Sequence, residues 1–218
     1  MPQLFKRRHN ALAKLSLIAL VLLPTVIFVV LSYYKWSPFE TEVGVALSQP
    51  VPFSHKHHVF ELGIDCRFCH SLVEDFSGAG MPPSKTCMTC HSQIWHGAPM
   101  LKPVRDSFKA HEPIGWNQVY RIPKYVYFDH SIHVQKGIGC SSCHGEIDRM
   151  PLTEKDRTFY MRDCLSCHRE PEKFLRPRDK IFNAEYKIPG NQLIIGKELL
   201  HNYNIHKEHL MDCYTCHR

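Results

Sequence analysis

The chain has 218 residues, of which 44% are hydrophobic and 22% are charged, and its formal net charge is +6. This length fits one or two ordinary domains. Four of the six excess positive charges lie within residues 6–14, so the charge of the remaining chain does not have the strongly basic character that nucleic-acid binding requires.

A stretch of twenty residues without a charge, Leu15 to Tyr34, follows these basic residues. About twenty apolar residues are needed for a helix to cross the hydrocarbon layer, so we predict a transmembrane helix over residues 15–34. The basic residues before it favour a cytoplasmic N-terminus, residues 1–14, and export of the chain that follows. A cleaved signal peptide is the alternative, but its apolar region is only about 7 to 15 residues long.

Every one of the ten cysteines belongs to a Cys-x-x-Cys-His motif. Two thiols at this spacing can each form a thioether to one vinyl group of a haem, and the adjacent histidine can bind the iron. Disulfides or zinc sites are the alternatives, but neither explains five histidines at the same position. We therefore predict five covalently bound haems c. The motifs are Cys66/Cys69/His70, Cys87/Cys90/His91, Cys140/Cys143/His144, Cys164/Cys167/His168 and Cys213/Cys216/His217.

Three segments place a pair of histidines shortly before a motif: PFSHKHHVFELGIDCRFCH, YFDHSIHVQKGIGCSSCH and NIHKEHLMDCYTCH. Residues three positions apart are neighbours on a helix, so each pair can bind two neighbouring irons. A sixth protein ligand is typical of an electron carrier, whereas an open position permits catalysis. The predicted distal ligands are His55, His58, His130, His133 and His206, with His209 as the competitor of His206.

Other residues are weaker ligand candidates. A methionine at one iron stays an alternative, because methionine ligation raises the potential of a haem, although methionine more often serves packing. The remaining exported histidines are interpreted as surface residues or as partners of haem propionates, and they are His57, His96, His111 and His201.

The motifs and histidine pairs form a degenerate internal repeat, two double units followed by a half unit. We expect a connector at residues 35–49 and a haem domain at residues 50–218, with a proline-rich ordered loop at 92–126 and a second connector at 170–200. This domain is too small for a large conventional core around each haem. The predicted fold is a multihaem cytochrome c with short helices and loops around five haems, plus one N-terminal transmembrane helix. The haem propionates would make the domain net negative, which excludes nucleic acid as a partner.

The same stretches resemble a known family. The first histidine segment with GMPPSKTCMTCHSQIW, the stretch IPKYVYFDHSIHVQKGIGCSSCHGEIDRMPL, and CLSCHREPEKFLRP with the terminal CYTCHR are similar to the pentahaem cytochrome c subunit (ActA) of alternative complex III. The likeness extends from the apolar helix to the last residue. The central stretch is shared more widely among multihaem cytochromes. The number of motifs, five, and the single anchor are what make the resemblance specific to this family.

The resemblance implies a subunit of a quinol-oxidising respiratory complex at the periplasmic face of the inner membrane. Its partners would be an iron–sulfur subunit, polytopic quinol-binding membrane subunits and a monohaem cytochrome c, with a terminal oxidase as a further acceptor. Two alternatives remain. One is a free-standing quinol dehydrogenase that feeds a periplasmic reductase, and the other is a catalytic multihaem reductase, which the surplus of histidines disfavours.

Overall fold

Residues 6–217 are described by the computed structural model, and their first element is a single long helix, α1, Arg7–Trp36. It contains the whole predicted span and continues through Pro24, beside which Thr25 Oγ1 donates to the Val21 carbonyl at 2.8 Å. The part from Arg8 to Trp36 is long and apolar enough to cross a membrane. A short helix, α2, Pro38–Thr41, follows it in the same compact unit.

A second compact unit begins at Val43 and contains all five motifs. Its helices are short, and within residues 6–217 the structure forms isolated β-bridges but no strands. This is the predicted fold class of short helices and loops. The α-helices of this unit are α3 Cys66–Cys69, α4 Ser84–His91, α5 Lys102–Ala110, α6 His130–Gln135, α7 Ser141–His144, α8 Met161–Arg169, α9 Gln192–Asn202 and α10 Cys213–Cys216. A π-helix spans Lys56–Glu61, and 3₁₀ turns span Pro99–Leu101, Ile147–Arg149, Pro171–Lys173, Arg178–Lys180 and Lys207–His209.

The stretch at 92–126 was expected to be an ordered loop, and this expectation was wrong for the part that forms helix α5. The connector at 170–200 contains the greater part of helix α9. Helix α5 has Pro103 in its first turn. Proline is tolerated there because the missing N–H would have no partner within the helix. Helix α9 begins only after Pro189 and Gly190. The prolines therefore set where these helices begin and do not prevent them.

Little of the second unit is a conventional hydrophobic core. One cluster joins Val51, Leu101 and Val104, and another joins Val73, Val134 and Ile181. The chain exposes 15497 Å², whereas a folded protein of this size exposes about 10,000 Å². Part of the excess comes from α1, and part comes from apolar side chains beside the motifs.

Candidate haem-binding sites

Each Cys-x-x-Cys-His motif lies on or directly beside one of the short helices, which places its two cysteines on one helical turn. No disulfide joins any two of the ten cysteines, so the structure does not support the disulfide alternative and leaves each sulfur available for a thioether. Within residues 6–217, no three His, Cys, Asp or Glu side chains are arranged to hold a metal ion on their own. An iron in a porphyrin needs only axial protein ligands, so this geometry fits haem better than zinc.

Four of the five motif histidines are oriented by a hydrogen bond from the ring to a backbone carbonyl. A carbonyl can accept only from a protonated Nδ1, so each bond fixes the tautomer that leaves Nε2 free to bind a metal. The Nδ1-to-oxygen distances are 2.8 Å from His70 to Gly80, 3.0 Å from His91 to Ile94, 2.9 Å from His168 to Leu210 and 3.2 Å from His217 to Tyr125.

The fifth motif histidine, His144, is held by packing. Its Nδ1 is buried and has no hydrogen-bond partner in the described part of the chain. The Tyr120 ring lies edge-on to it, with centroids 4.4 Å apart. Burial, and after it the neighbouring histidine His130, lowers the pKa of His144 to about 4. The imidazole is therefore neutral near pH 7, which is the form that binds a metal.

The first two histidine pairs are built in the same way. Phe53 lies edge-on to His55, with centroids 4.9 Å apart, and is stacked on His58 at 4.5 Å. Phe128 makes the same two contacts with the second pair, at 4.7 and 4.6 Å. The second histidine of each pair also bonds through Nδ1 to the carbonyl four residues earlier, at 2.9 and 2.6 Å. The aromatic-x-His-x-x-His pattern is thus a structural repeat.

Three histidines of these pairs face a motif histidine at the spacing of two ligands on one iron. Two imidazoles bound through Nε2 on opposite sides of a metal, each at about 2 Å, have ring centroids roughly 6 Å apart. The centroid distances are 6.2 Å for His58 and His91, 6.4 Å for His130 and His144, and 6.2 Å for His133 and His168. The two ring planes are inclined to one another by 66°, 6° and 23° in these three pairs, in the same order.

The remaining histidine of the two repeats, His55, is close enough to the first motif for its ring to interact electrostatically with His70. Its Nδ1 is 3.1 Å from Thr153 Oγ1. Burial, and after it the charges of His70 and His58, lowers the pKa of His55 to about 4. His55 is therefore a neutral, oriented imidazole next to the motif histidine His70.

The third histidine pair does not repeat this geometry in the described structure. Asn204 stands where the other pairs have phenylalanine. Both histidines are exposed, and each is oriented by an acidic side chain: His206 Nδ1 is 3.4 Å from Glu208, and His209 Nδ1 is 3.1 Å from Asp212. The structure therefore leaves the choice between His206 and His209 as it stood from the sequence.

The weaker candidates lie where surface residues were expected. His57 stacks on Trp95 with centroids 5.8 Å apart, and its Nδ1 is 2.9 Å from a Glu61 carboxylate oxygen. His96, His111 and His201 are exposed.

Several residues that orient the candidate ligands had no signature in the sequence. The Ser77 carbonyl accepts from the backbone N–H of His130 at 3.0 Å and from its ring at 2.8 Å. Thr153 holds His55 from 98 positions away. Such contacts depend on the tertiary fold, so a local pattern could not reveal them.

A buried arginine beside the third motif was also not predicted. Arg176 is 5% exposed and donates to Ser141 Oγ at 2.7 Å and to the Asn183 carbonyl at 3.2 Å. Burial lowers the pKa of Arg176, and its Nε has no partner in the described chain. These partners are neutral, so the guanidinium suits a carboxylate such as a haem propionate.

Apolar side chains beside the motifs also fit the faces of a porphyrin. Phe68 in the first motif is 52% exposed, Met161 before the fourth is 60% exposed, and Tyr214 in the fifth is 65% exposed. A protein interior normally covers such side chains. Covalent attachment at the adjacent cysteines would cover them with an apolar ring.

Helical Cys-x-x-Cys-His motifs with oriented histidine rings define a c-type cytochrome with several haems. The family described as cytochrome c7 and related cytochrome c matches residues 126–218. The multihaem cytochrome c subunit of a menaquinone reductase from Nitratidesulfovibrio vulgaris (strain Hildenborough) is 35% identical over 161 residues, which cover 64% of this chain and 77% of that relative. The chain belongs to the family of multihaem cytochromes c, and it binds haem c covalently.

Proposed function

We propose that this chain carries five haems c and is the electron-transfer subunit of a quinone-linked membrane complex. The observation that carries the proposal is the set of three histidine ring pairs with centroids 6.2 to 6.4 Å apart. Two imidazole ligands complete the coordination of a haem iron and leave no position for a substrate. The sites are therefore suited to passing electrons and not to binding a small molecule at the iron.

The proposed ligands follow from the geometry of each site. The cysteines of the five motifs would form the thioethers, and the motif histidines would bind the irons through Nε2. The orienting bonds at Nδ1 hold the rings so that only small motions accompany a change of charge, which favours rapid electron transfer. The two histidines that would hold each iron are His55 with His70, His58 with His91, His130 with His144, His133 with His168, and His206 with His217, where His209 is the competitor of His206.

The haem, when bound, supplies a one-electron redox centre, and the protein residues set its surroundings. His144 is shielded from water by Tyr120, and the buried cation of Arg176 lies beside the same motif. A nearby positive charge favours the form of a site with the lower positive charge. These residues are therefore expected to hold the third site at a higher potential than an exposed site.

A membrane location and a quinone are supported by different observations. Helix α1 is long and apolar enough to span the bilayer. The relative is named as a subunit of a menaquinone reductase. We propose that residues 1–14 are cytoplasmic, residues 15–34 span the inner membrane, residues 35–49 form a connector, and residues 50–218 are periplasmic. This topology puts the motifs in the compartment where c-type haems are attached.

In its finer form, the proposal is the pentahaem subunit of alternative complex III. Electrons from quinol, oxidised in polytopic membrane subunits, would pass through an iron–sulfur subunit and this chain to a monohaem cytochrome c or a terminal oxidase. The name of the relative favours a second candidate with the opposite direction, in which electrons pass from the periplasm to menaquinone. A free-standing quinol dehydrogenase is the other alternative.

The test is purification of the native complex in mild detergent, followed by subunit identification, haem-to-protein stoichiometry and quinol-dependent haem reduction. We expect five haems per chain, an iron–sulfur subunit, polytopic subunits and rapid reduction by quinol. Haem reduction by a periplasmic donor, with electrons passed on to menaquinone, would favour the second candidate. A quinol-active cytochrome without partner subunits would contradict membership of a complex.

A further inference from the structure

We propose that the five sites follow one another in space in the order second, first, third, fourth, fifth, so that the second and fifth sites are the two ends of the electron path. This inference rests on the proposed function and adds an order that differs from that of the motifs in the sequence. In each transfer, one electron leaves one site and enters the next, so the donor site is oxidised as the acceptor site is reduced. A quinone/quinol couple exchanges electrons with one end, and a periplasmic redox protein exchanges them with the other.

The first and second sites are adjacent because one helical segment serves both. His55 and His58 lie three positions apart at the start of the π-helix Lys56–Glu61. His58 faces His91 of the second motif at a centroid distance of 6.2 Å, whereas the ring of His55 is close enough to His70 of the first motif to interact with it electrostatically. Two ligands on one helical turn fix these two sites as neighbours.

The first and third sites are joined by two hydrogen bonds, each between a histidine ring of one site and a residue that follows the motif of the other. The ring of His130, which faces the third motif, bonds to the Ser77 carbonyl, seven residues after the first motif, at 2.8 Å. The ring of His55, which lies beside the first motif, is 3.1 Å from Thr153, nine residues after the third motif. Each site therefore orients the distal histidine of the other.

The two motifs themselves also touch. The side chains of Cys66 and Cys140 lie close enough to interact with one another. Val73, just after the first motif, packs in one buried cluster with Val134 of helix α6, which precedes the third motif. These contacts are direct, so the first site lies between the second and the third.

The remaining order follows the sequence. Helix α6 serves both the third and the fourth sites, because His130 faces His144 while His133 faces His168. The ring of His168 in turn bonds to the Leu210 carbonyl, three residues before the fifth motif, at 2.9 Å. The fourth site therefore lies between the third and the fifth.

Exposure of the thiols agrees with this order. Cys90 of the second motif and Cys213 of the fifth are exposed, whereas the other eight cysteines are half-buried. Trp95 beside the second motif is 58% exposed, and Tyr214 in the fifth is 65% exposed. The ends of the proposed path are thus the sites that a redox partner can approach.

The second site has a spectroscopic marker for the test. The g anisotropy of a low-spin ferric haem with two imidazole ligands increases as their planes are turned apart. The planes of His58 and His91 are inclined by 66°, compared with 6° and 23° in the other two measured pairs. The second site should therefore give a highly anisotropic electron paramagnetic resonance signal.

The experiment is a redox titration of this signal in the complex, in the wild type and in two matched variants, His55→Met and His130→Met. Methionine raises the potential of the site it enters, so that site stays reduced while the others titrate. Its iron then carries one positive charge fewer, which lowers the potential of an adjacent site. We expect a shift to lower potential in His55→Met and no shift in His130→Met.

An equal or larger shift of the signal in His130→Met would overturn the proposed order, because it would place the third site next to the second. Iron-to-iron distances in the wild-type complex provide a second measurement that needs no variant. The iron of the first site must lie closer to the iron of the third site than the iron of the second site does. The reverse result would overturn the order. Five bis-histidine irons in another order would contradict this inference alone, whereas fewer irons or an inactive complex would contradict the proposed function.

Discussion

Gly196 marks the point where helix α9 crosses the 3₁₀ turn Pro171–Lys173. A Cβ atom added at Gly196 would collide with the carbonyl oxygen and carbon of Glu172, both of which are backbone atoms and cannot move aside as a side chain could. The helix can approach this closely because the residue is glycine.

We therefore predict that Gly196→Ala destabilises the protein by about 1 to 3 kcal/mol, the usual cost of overpacking. An exposed helical position would instead gain up to about 1 kcal/mol from the same change. The measurement is the midpoint of chemical unfolding. Gly190→Ala is the matched control, since nothing lies within 4 Å of its added Cβ. A neutral or stabilising Gly196→Ala would show that α9 is free to move away from the turn.

Arg176 gives a second prediction for a single residue. Its guanidinium bridges Ser141 and the Asn183 carbonyl while it is almost fully buried. Lysine keeps the charge but cannot reproduce the planar fork, so Arg176→Lys should lose about 1 to 3 kcal/mol of stability. Arg162→Lys, at a side chain that is 61% exposed, should change stability by less than about 0.5 kcal/mol. Equal unfolding midpoints for the two variants would contradict the structural role of Arg176.

The roles of residues could be predicted from the sequence where the residues belong to a short local motif. The motif cysteines and histidines are of this kind, and so are Phe53 and Phe128, two positions before a histidine. Arg176 and Ser77 act on residues 35 and 53 positions away, and no spacing rule connects them to a motif. The tertiary fold alone brings them to the sites.

At the scale of elements, one ion pair joins the last histidine segment to the turn that follows the fourth motif. Lys207 Nζ is 2.9 Å from Glu172 Oε1, where the glutamate side chain is 13% exposed. Burial by itself would raise the pKa of Glu172, but the hydrogen bond and charge of Lys207 outweigh it, and the net pKa is lowered. The pair ties the turn at Pro171–Lys173 to the turn at Lys207–His209.

We predict that this pair makes stability depend on pH in acid. Because the folded pKa of Glu172 lies below its ordinary value of 4.5, its contribution is fully present above that value and is lost as the pH falls through the folded pKa. Glu172→Gln should therefore lower the unfolding midpoint at pH 7 and flatten the acid loss. Glu170→Gln, which removes an exposed pair with Lys173, is the control and should have little effect. Parallel pH profiles for Glu172→Gln and the wild type would contradict the prediction.

The elements themselves were predicted unevenly. The histidines of each pair were expected to be neighbours on a helix because they are three positions apart, and the structure has helix α6 and the π-helix Lys56–Glu61 at the first two pairs. The amphipathic helix α5 was missed because Pro103 was interpreted as a helix breaker, although it lies in the first turn. The number of prolines in a segment therefore does not predict whether a helix forms there, because a proline in the first turn of a helix is tolerated.

At the scale of the whole molecule, the chain has two parts, a long helix with an apolar surface and a unit that binds haem. Helix α1 exposes apolar side chains along its length, such as Phe28 at 72% and Leu20 at 70%. This pattern was predictable, since twenty uncharged residues can form little else. The second unit depends on groups that are not amino acids, and only the motifs in its sequence reveal them.

The last prediction concerns folding of the second unit without haem. In the described chain, nine hydrophobic residues are buried, and all of them lie in this unit: Val51, Val73, Leu101, Val104, Val119, Val134, Leu175, Ile181 and Tyr203. Full burial of a side chain contributes roughly 1.5 to 3 kcal/mol, whereas ordering the backbone costs about 1 to 2 kcal/mol for every residue. Nine such residues cannot offset the ordering of a unit that extends from Val43 to the C-terminus.

The full chain, produced where c-type haem is not attached, should therefore keep the helicity of α1 in detergent but show no cooperative unfolding of the second unit. Circular dichroism during chemical unfolding and limited proteolysis would measure this, with the haem-loaded chain as the control. Proteolysis should spare α1 and cleave throughout the motif-bearing unit, because thioether-bound haems would otherwise cover side chains such as Phe68 and join segments distant in sequence. A protease-resistant, cooperatively unfolding haem-free unit would mean that the polypeptide alone supplies the core.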